Sequence, residues 1–246
     1  MIPYNDRFTK ACFLEETDQI PVWFMRQAGR YQRSYRDIRS KYSIKEICKT
    51  PEICHKVSHL PVDQFNLDAA ILFSDIMIPL EPMGIEFDYK PGIGPVLNDP
   101  VRNIGQVKAL KKVEVEDSLS YTGETLNMLK DSLNIPCIGF VGAPFTLASY
   151  IIEGGPSKNY RHLKTFMYRQ TDAWHLLMEK LSELLIEYSL RTSSFLATFS
   201  SSEIDNSSMP ARLVERSGKM KKSLFSDSSV IISIPLSVRS TLLFFS

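Results

Sequence analysis

Short, continuous runs of apolar residues recur along the first part of the chain. Each run has the length of a strand that is covered on both faces, as the strands of a parallel sheet are. The runs lie at residues 22–25, 69–73 and 135–141. They predict three buried strands of a parallel sheet.

Between and after these runs, apolar residues recur three and four positions apart, which is the spacing of one helix face. This spacing predicts helices at residues 51–64, 118–133, 143–152 and 161–188, the last as one or two helices. Pro51 suits a first helical position with Thr50 as its N-cap, while Gly154 and Gly155 suit a helix end. Strands that alternate with helices predict an α/β fold.

Residues 79–100 interrupt this alternation with five prolines and three glycines, a composition that predicts a long irregular segment. Long loops in compact domains are often functional, and this one could cover a pocket. Its PGIGP sequence lacks the lysine and the serine or threonine that follow in a phosphate-binding loop. We therefore interpret it as a turn.

The composition changes abruptly near residue 189. Residues 189–246 contain 17 serines, against 11 in residues 1–188, and the alternation of strands and helices stops. A disordered regulatory tail is one interpretation, although such tails are seldom this rich in Phe, Leu and Ile. We favour the other interpretation, which is out-of-frame sequence after a frameshift near codon 189.

Length and charge narrow the class of protein. A chain of 246 residues predicts one domain of ordinary size. Its 29 basic and 28 acidic residues nearly cancel, so the net charge gives no attraction to nucleic acid or to an anionic membrane. The N-terminus lacks the pattern of a signal peptide, and no apolar run reaches the roughly 18 residues of a membrane span. We expect a soluble, cytoplasmic protein.

The four cysteines are scattered without a CxxC pair, which fits a reducing cytosol better than a disulfide framework. Cys54 precedes His55, and His59 lies one turn further on the same helix face. These residues could ligate a metal, but no fourth ligand lies nearby in the sequence. We therefore interpret the segment as an ordinary helix with a buried cysteine and surface histidines.

Arginines follow the first predicted strand. Arg26 and Arg30 lie four residues apart with Gly29 between them, and arginines at 33, 36 and 39 continue the series. The planar guanidinium donates paired hydrogen bonds to a carboxylate and stays charged at ordinary pH. The pair suggests a pocket for a ligand with several carboxylates, whereas the plainer interpretation is an exposed, solvated helix face.

Two further polar residues come soon after predicted strands. Asp75 follows the second strand, where it could act in a site or simply cap a helix. Tyr150 lies in the helix after the third strand, where an amphipathic core tyrosine is the plainer interpretation. Neither residue alone identifies a function.

Three segments resemble the uroporphyrinogen decarboxylase family of haem biosynthesis. They are PVWFMRQAGRY at residues 21–31, LDAAILFSDI at residues 67–76 and IGFVGAPFTLASYIIEGG at residues 138–155. They occur in the order of the family and at similar spacing, and the resemblance extends over residues 1–188. It implies a TIM barrel, in which functional side chains lie at the carboxyl ends of the strands.

The resemblance also implies a reaction. The family removes the carboxyl groups from the four acetate side chains of uroporphyrinogen III, which gives coproporphyrinogen III and carbon dioxide. A pyrrole ring that is protonated on carbon serves as the electron sink, so the family needs no cofactor and no metal. Asp75 would accept hydrogen bonds from pyrrole N–H groups and stabilise the cationic intermediate.

The remaining roles follow from the same resemblance. Arg26 and Arg30 would bind substrate carboxylates, with Arg30 as the candidate proton donor, and Tyr150 would hydrogen-bond near Asp75 or a carboxylate. Gln27 and Gly29 would shape the loop. The substrate-binding residues that the resemblance implies are Arg26, Gln27, Ala28, Gly29, Arg30, Asp75 and Tyr150.

The family continues beyond residue 188 with strands that carry a substrate-binding serine and histidine, and residues 189–246 do not match these segments. We therefore expect residues 1–188 to be the N-terminal half of a barrel with two open parallel edges. Such a chain should be unstable or prone to aggregation, and it should have little activity. Intact family members are homodimers, and the surface they need could be lost.

Two alternatives stay open. Cobalamin-dependent methyltransferases form related barrels and hold zinc with His and Cys ligands, whereas the paired arginines favour the decarboxylase. The second alternative is a decayed gene product or a binding fragment without catalytic activity.

Overall fold

The computed structural model of the protein describes residues 4–197, 230–234 and 241–245. The α-helices are α1 (Arg7–Cys12), α2 (Arg33–Arg39), α3 (Ile44–Lys49), α4 (Pro51–Gln64), α5 (Ile104–Ala109), α6 (Val115–Ser118), α7 (Ser120–Ser132), α8 (Pro144–Glu153), α9 (Arg161–Arg169) and α10 (Thr171–Ala197). The strands are β1 (Ala70–Ile71), β2 (Phe87–Lys90), β3 (Gly94–Leu97), β4 (Cys137–Gly142), β5 (Val230–Ile234) and β6 (Thr241–Phe245), and a 3-10 helix spans Ile78–Met83. The predicted α/β fold is confirmed.

The main sheet has the strand order β1-β4-β5-β6. β1 and β4 are parallel, with Ala70 opposite Cys137 and Ile71 opposite Ile138. Leu72 N donates to Ile138 O at 3.0 Å, which extends the pairing beyond the end of β1. Five of the six residues of β4 are buried, as expected for a strand with apolar cover on both faces.

Helix α10 supplies much of the core. Its predicted apolar stripe is confirmed, because Leu177, Leu181, Leu184 and Tyr188 are buried against the residues of α8 and the 3-10 helix. The helix continues through residue 189 and ends at Ala197. No helix in the described part of the chain is long and apolar enough to cross a membrane.

The predicted helices are confirmed with small shifts at their ends. Helix α4 begins at Pro51 with Thr50 as its N-cap, and the last predicted helix is two, α9 and α10. Helix α8 ends at Gly154, which has φ 84°. A side chain at Gly154 would also lie 2.6 Å from Pro100, so this position requires glycine for two reasons.

The predicted strand at residues 22–25 is wrong. Asp68 contacts Val22 twice, because Asp68 N donates to Val22 O at 2.9 Å and Val22 N donates to Asp68 Oδ2 at 2.7 Å. A side-chain carboxylate therefore takes the amide that a strand ladder would use. Val22 and Phe24 remain 45% and 58% exposed, so apolar residues do not by themselves make this segment a buried strand.

The prediction that residues 79–100 are irregular is also wrong. They form the 3-10 helix Ile78–Met83 and the antiparallel hairpin of β2 and β3, in which Tyr89 lies opposite Pro95. The predicted turn at PGIGP joins the two strands, and its Gly92 and Gly94 adopt positive φ. Leu97 N donates to Gly154 O at 2.9 Å, which fastens the hairpin to the end of α8.

Two strands lie in the serine-rich tail, where the sequence predicted none. β5 pairs antiparallel with β4, with Gly139 opposite Ser233, and β6 pairs antiparallel with β5. The prediction of two open parallel edges is therefore wrong at β4, because short runs rich in β-branched and aromatic residues pair readily with an unpaired strand. Residues 198–229, 235–240 and 246 lie outside the described residues, and the frameshift origin of the tail stays a prediction.

Candidate active site

Asp75 lies between β1 and the 3-10 helix and is half-buried. Its Oδ1 accepts a hydrogen bond from Met77 N at 2.8 Å, so the carboxylate does cap the following turn. A carboxylate has acceptor positions for about four hydrogen bonds, so this contact leaves it able to bind further donors. The capping role and a role in a site are therefore compatible.

Helix α4 fixes the chain just before Asp75. Phe73 N donates to Ser58 Oγ at 2.9 Å, and the Cys54 thiol donates to Phe73 O at 3.0 Å. Ser58 in turn donates to Cys54 O at 2.8 Å. These contacts satisfy both backbone groups of Phe73 and so hold the backbone that carries Asp75.

The end of β4 lies directly against this segment. A side chain at Gly142 would approach Ile76 Cβ and Leu147 Cδ2 at 3.0 Å each, so glycine lets the end of β4 lie close to the segment after Asp75 without a shift of these neighbours. Helix α8 begins two residues later and carries the half-buried Tyr150. The local sequence thus places Asp75 and Tyr150 after two neighbouring parallel strands.

The charge of Asp75 acts on Tyr150. Burial raises the pKa of Tyr150, Asp75 and Tyr160 raise it further, and Arg26 opposes the shift. The tyrosine therefore keeps its proton and can donate a hydrogen bond. That Asp75, Tyr150 and Arg26 form one site stays a prediction.

The loop that carries the arginines is shaped by two buried amides. Gln27 is 3% exposed, its Oε1 accepts from Phe24 N at 3.0 Å, and its carbonyl accepts from the Tyr31 hydroxyl. Gln32 Oε1 accepts from Gly29 N at 3.4 Å, and Gln32 Nε2 donates to Gln64 on α4 at 2.9 Å. Gln27 and Gly29 thus define the backbone path between the arginines.

Other residues of this loop face different surroundings. Ala28 packs against the buried cluster of Tyr35, Ile47 and Val57. Arg26 and Arg30 are both exposed. Burial raises the pKa of Tyr35, and Arg39 and Arg30 oppose the shift. Both guanidiniums lie at the surface, and their assignment to substrate binding stays a prediction.

Sequence reasoning missed Tyr89. This residue lies in β2, and its buried hydroxyl makes no hydrogen bond among the described residues. Burial raises the pKa of Tyr89, and the charges of Asp75, Cys48 and Glu81 raise it further. The alternation of Phe87, Asp88, Tyr89 and Lys90 is a strand signal, but the surrounding prolines and glycines obscured it.

Cys54, His55 and His59 lie on helix α4, with Cys54 buried and the two histidines half-buried. Cys54 is buried and contacts Phe73 O, whereas His55 Nε2 and His59 Nε2 lie 2.8 and 2.9 Å from Ser132 Oγ. The cysteine and the histidines therefore lie in separate contacts. Within residues 4–197, 230–234 and 241–245, no group of three or more His, Cys, Asp or Glu side chains could hold a metal ion.

Polar side chains at the carboxyl ends of parallel strands define an α/β protein with its site at the position where such folds bind ligands. The chain belongs to the uroporphyrinogen decarboxylase family, because the family profile, Uroporphyrinogen decarboxylase (URO-D), matches residues 3–193. The resemblance inferred from the three sequence segments is thereby confirmed.

Individual relatives agree with this assignment. Uroporphyrinogen decarboxylase from Halalkalibacterium halodurans is 52% identical over 185 residues, which are 75% of this chain and 54% of the relative. The protein of the same name from Geobacillus is 51% identical over 185 residues, again 75% of this chain and 54% of the relative. The chain therefore spans about half the length of the curated relatives it matches.

A solved structure supports the fold. A methyltransferase from Methanosarcina mazei superposes with a TM-score of 0.61 and 16% identity, covering 78% of this chain and 56% of the methyltransferase. At this identity the similarity concerns the fold alone.

Proposed function

We propose that the site formed by Asp75, Tyr150 and the arginine loop (residues 26–31) takes part in the decarboxylation of uroporphyrinogen III to coproporphyrinogen III. The observation that carries the proposal is the half-buried carboxylate of Asp75, which follows β1 and accepts a hydrogen bond from Met77 N at 2.8 Å. The family membership and the relatives named uroporphyrinogen decarboxylase support it.

The decarboxylation passes through a cationic intermediate that a fixed carboxylate can stabilise. Protonation of a pyrrole carbon gives a cation, the bond to the acetate carboxyl group breaks, and its electrons neutralise the ring as carbon dioxide leaves. The exocyclic carbon then takes up a proton and the ring carbon loses one, so each acetate becomes a methyl group with the net uptake of one proton. A fixed carboxylate stabilises the cationic stage, because a preorganised charge needs no reorganisation during the reaction.

Each residue of the site has a part in this scheme. Asp75 accepts hydrogen bonds from pyrrole N–H groups. Tyr150 stays protonated because burial and Asp75 raise its pKa, so it serves as a hydrogen-bond donor. Arg26 and Arg30 are exposed and bind the outer carboxylates of the substrate as charged donors. Arg30 is the candidate acid, although a guanidinium gives up its proton reluctantly.

The chain by itself carries only part of the site. It spans 54% of the length of the Halalkalibacterium halodurans relative, and its tail pairs antiparallel with β4. We expect it to have little turnover alone and to be unstable or prone to aggregation. The frameshift hypothesis belongs to this proposal, since out-of-frame sequence after residue 188 would remove the remainder of the site.

The test is a chimera, in which residues 1–188 of this chain are joined to the corresponding C-terminal part of the Halalkalibacterium halodurans relative. The chimera should convert uroporphyrinogen III to coproporphyrinogen III in an anaerobic assay read by chromatography of the oxidised porphyrins. The matched control is the same chimera with Asp75→Asn. A chimera that folds, as judged by circular dichroism, but forms no coproporphyrinogen would refute the proposal.

The cellular setting follows the same proposal. All four cysteines are free, with Cys48, Cys54 and Cys137 buried, which supports a reducing compartment such as the cytoplasm. The partner is the tetrapyrrole substrate, and a homodimer is expected for the intact protein. Sedimentation of the chimera measures the second expectation.

A further inference from the structure

Three arginines of helix α2, at positions 33, 36 and 39, continue the series of the arginine loop, but the scheme above uses none of them. Arg33 and Arg36 are exposed, and Arg39 is half-buried. The guanidinium of Arg39 donates to Tyr42 O, beyond the end of the helix. The guanidinium of Arg36 instead reaches back to the arginine loop, where it makes two hydrogen bonds.

The segment that Arg36 reaches is a turn at the end of the loop. Gln32 N donates to Gly29 O at 3.0 Å, which closes a turn with Arg30 and Tyr31 at its two central positions. This closing hydrogen bond uses neither the carbonyl of Arg30 nor that of Tyr31. Both carbonyls therefore need a donor from water or from a side chain.

The guanidinium of Arg36 supplies a donor to both carbonyls. Arg36 Nη1 lies 2.7 Å from Arg30 O and 3.1 Å from Tyr31 O. This nitrogen carries two hydrogens, so it can donate one to each oxygen. Hydrogen bonds from a charged donor are stronger than those between neutral groups. One side chain thus holds both central carbonyls of the turn.

Helix α2 fixes the base of this side chain. Arg36 N donates to Gln32 O at 3.2 Å, so Arg36 lies one helical turn after the residue that closes the turn. Gln32 is buried, and its Nε2 donates to Gln64 Oε1 on α4 at 2.9 Å. The contact from Arg36 therefore ties the backbone of the exposed Arg30 to a helix that is anchored in the fold.

We propose that Arg36 is a positioning residue for Arg30, because its guanidinium holds the backbone from which the Arg30 side chain projects. Gln27 holds the other end of the loop by accepting from Phe24 N at 3.0 Å. With both ends held, only the side-chain torsions of Arg30 remain to be ordered when a carboxylate binds, and the smaller loss of conformational entropy favours binding. The inference rests on the proposed function in taking Arg30 as a group that binds the substrate.

The first measurement uses the full chain without substrate, so its failure is distinct from failure of the decarboxylase assay. Arg36→Ala removes the guanidinium, and nitrogen-15 relaxation gives the order parameters of the Arg30 and Tyr31 amides. We expect values of about 0.85, typical of a rigid backbone, in the parent and below about 0.6 in the variant.

The matched control is Arg33→Ala, which removes the same charge from an exposed position of the same helix. It should leave both order parameters unchanged. Order parameters that do not change in Arg36→Ala, or that fall equally in Arg33→Ala, would overturn the proposal.

A second measurement asks whether Arg36 acts through Arg30. In the chimera, Arg36→Ala should lower kcat/KM about 10-fold, the value of a hydrogen bond from a charged group. In a chimera that already carries Arg30→Ala, it should have no further effect, because no side chain is left to position. An equal loss in both backgrounds would contradict the proposal. If the chimera has no turnover, the order parameters decide alone.

Discussion

Asp75 and the arginine loop are built in opposite ways. Asp75 is half-buried between β1 and the 3-10 helix, and its carboxylate accepts a hydrogen bond from Met77 N. Two residues earlier, both backbone groups of Phe73 are hydrogen-bonded to α4. Arg26 and Arg30 are exposed, and the predicted strand before them is not formed. The carboxylate is held before any ligand binds, whereas the two guanidiniums reach into solvent from a loop whose backbone Gln27 and Gln32 hold.

This difference matches the two tasks of the proposed site. A charge that stabilises a cationic intermediate works best when it is already in place, because reorganisation would cost part of the stabilisation. Arginines that bind carboxylates at the rim of a large ligand instead benefit from long, exposed side chains. Each guanidinium can donate paired hydrogen bonds to a carboxylate. Substitutions of Asp75 and of the arginines should therefore have different effects on kcat and KM.

The largest effect is expected from Asp75→Asn in the chimera. The substitution keeps the shape but removes the charge, so kcat should fall by about 10²- to 10³-fold while KM changes little. The control is Asp63→Asn, an exposed carboxylate of α4 that pairs only with His59 in the described structure. An equal loss in both variants, or a loss confined to KM, would contradict the role of Asp75.

The next effect concerns the anchor before the arginine loop. Asp68 is buried, pairs with Arg7, and accepts from Val22 N at 2.7 Å and from Asn5 Nδ2 at 2.9 Å. Asp68→Asn should lower the free energy of unfolding by about 1–3 kcal/mol, because the amide accepts at one oxygen only and leaves some of these donors unpaired, while Arg7 keeps its pair with Asp18 at 2.6 Å. Urea denaturation of the chimera measures this change.

The same anchor predicts a pH dependence. Burial alone would raise the pKa of Asp68, but hydrogen bonds from Val22 N–H, Asn5 and Arg7 outweigh it and lower the pKa, and Arg7 also holds the pKa of Asp18 at about 2. These groups bind protons more weakly in the folded than in the unfolded chain. Their stabilisation is therefore complete above about pH 4 and is lost as the pH falls towards 2. In Asp68→Asn the unfolding free energy should fall less as the pH is lowered. If it falls as much as in the parent, Asp68 is not the source of the pH dependence.

A smaller effect, in affinity, is expected from the arginines. Arg26→Ala in the chimera should raise KM by about 10- to 100-fold, the value of a hydrogen-bonded charge, with kcat largely kept. Arg30→Ala should lower kcat more than affinity if Arg30 is the acid, and an effect on KM alone would rule that role out. Arg33→Ala, an exposed arginine at the start of α2, is the control.

The smallest effect is expected at the contact between the strand ends. Gly142→Ala would place a carbon 3.0 Å from Ile76 Cβ, and overpacking of this kind costs about 1–3 kcal/mol. Because Ile76 follows Asp75, the shift should also reduce kcat modestly. A variant as stable and as active as the parent would show that this contact does not fix the carboxylate.

The sequence pattern correctly predicted the elements that are determined by local residues. The stripe on α10, the start of α4 at Pro51 and the end of α8 at Gly154 all follow from local spacing, capping and backbone preference. The positions of Asp75 and Tyr150 after two parallel strands followed as well. In each case a local signal and the tertiary structure agree.

The failures are cases in which a distant contact decides the structure. The run at residues 22–25 has the pattern of a strand, but Asp68 takes the Val22 amide with its side chain. The hairpin that carries Tyr89 is stabilised by Gly154 at the end of α8, a contact that no local pattern of residues 79–100 reveals. Strand β5 pairs with the edge of β4, and β6 pairs with β5. Whether the edge of β4 is available depends on the rest of the sheet.

Hydrogen exchange on the full chain, with and without uroporphyrin, measures directly how firmly β4 and the arginine loop are held. Without ligand, the account predicts slow exchange at the amides of β4 and of Leu72 and Phe73, and fast exchange in the arginine loop. Added uroporphyrin should slow exchange in that loop and leave β4 unchanged. A loop that is as protected as β4 before ligand is added, or one whose exchange uroporphyrin does not alter, would contradict the account.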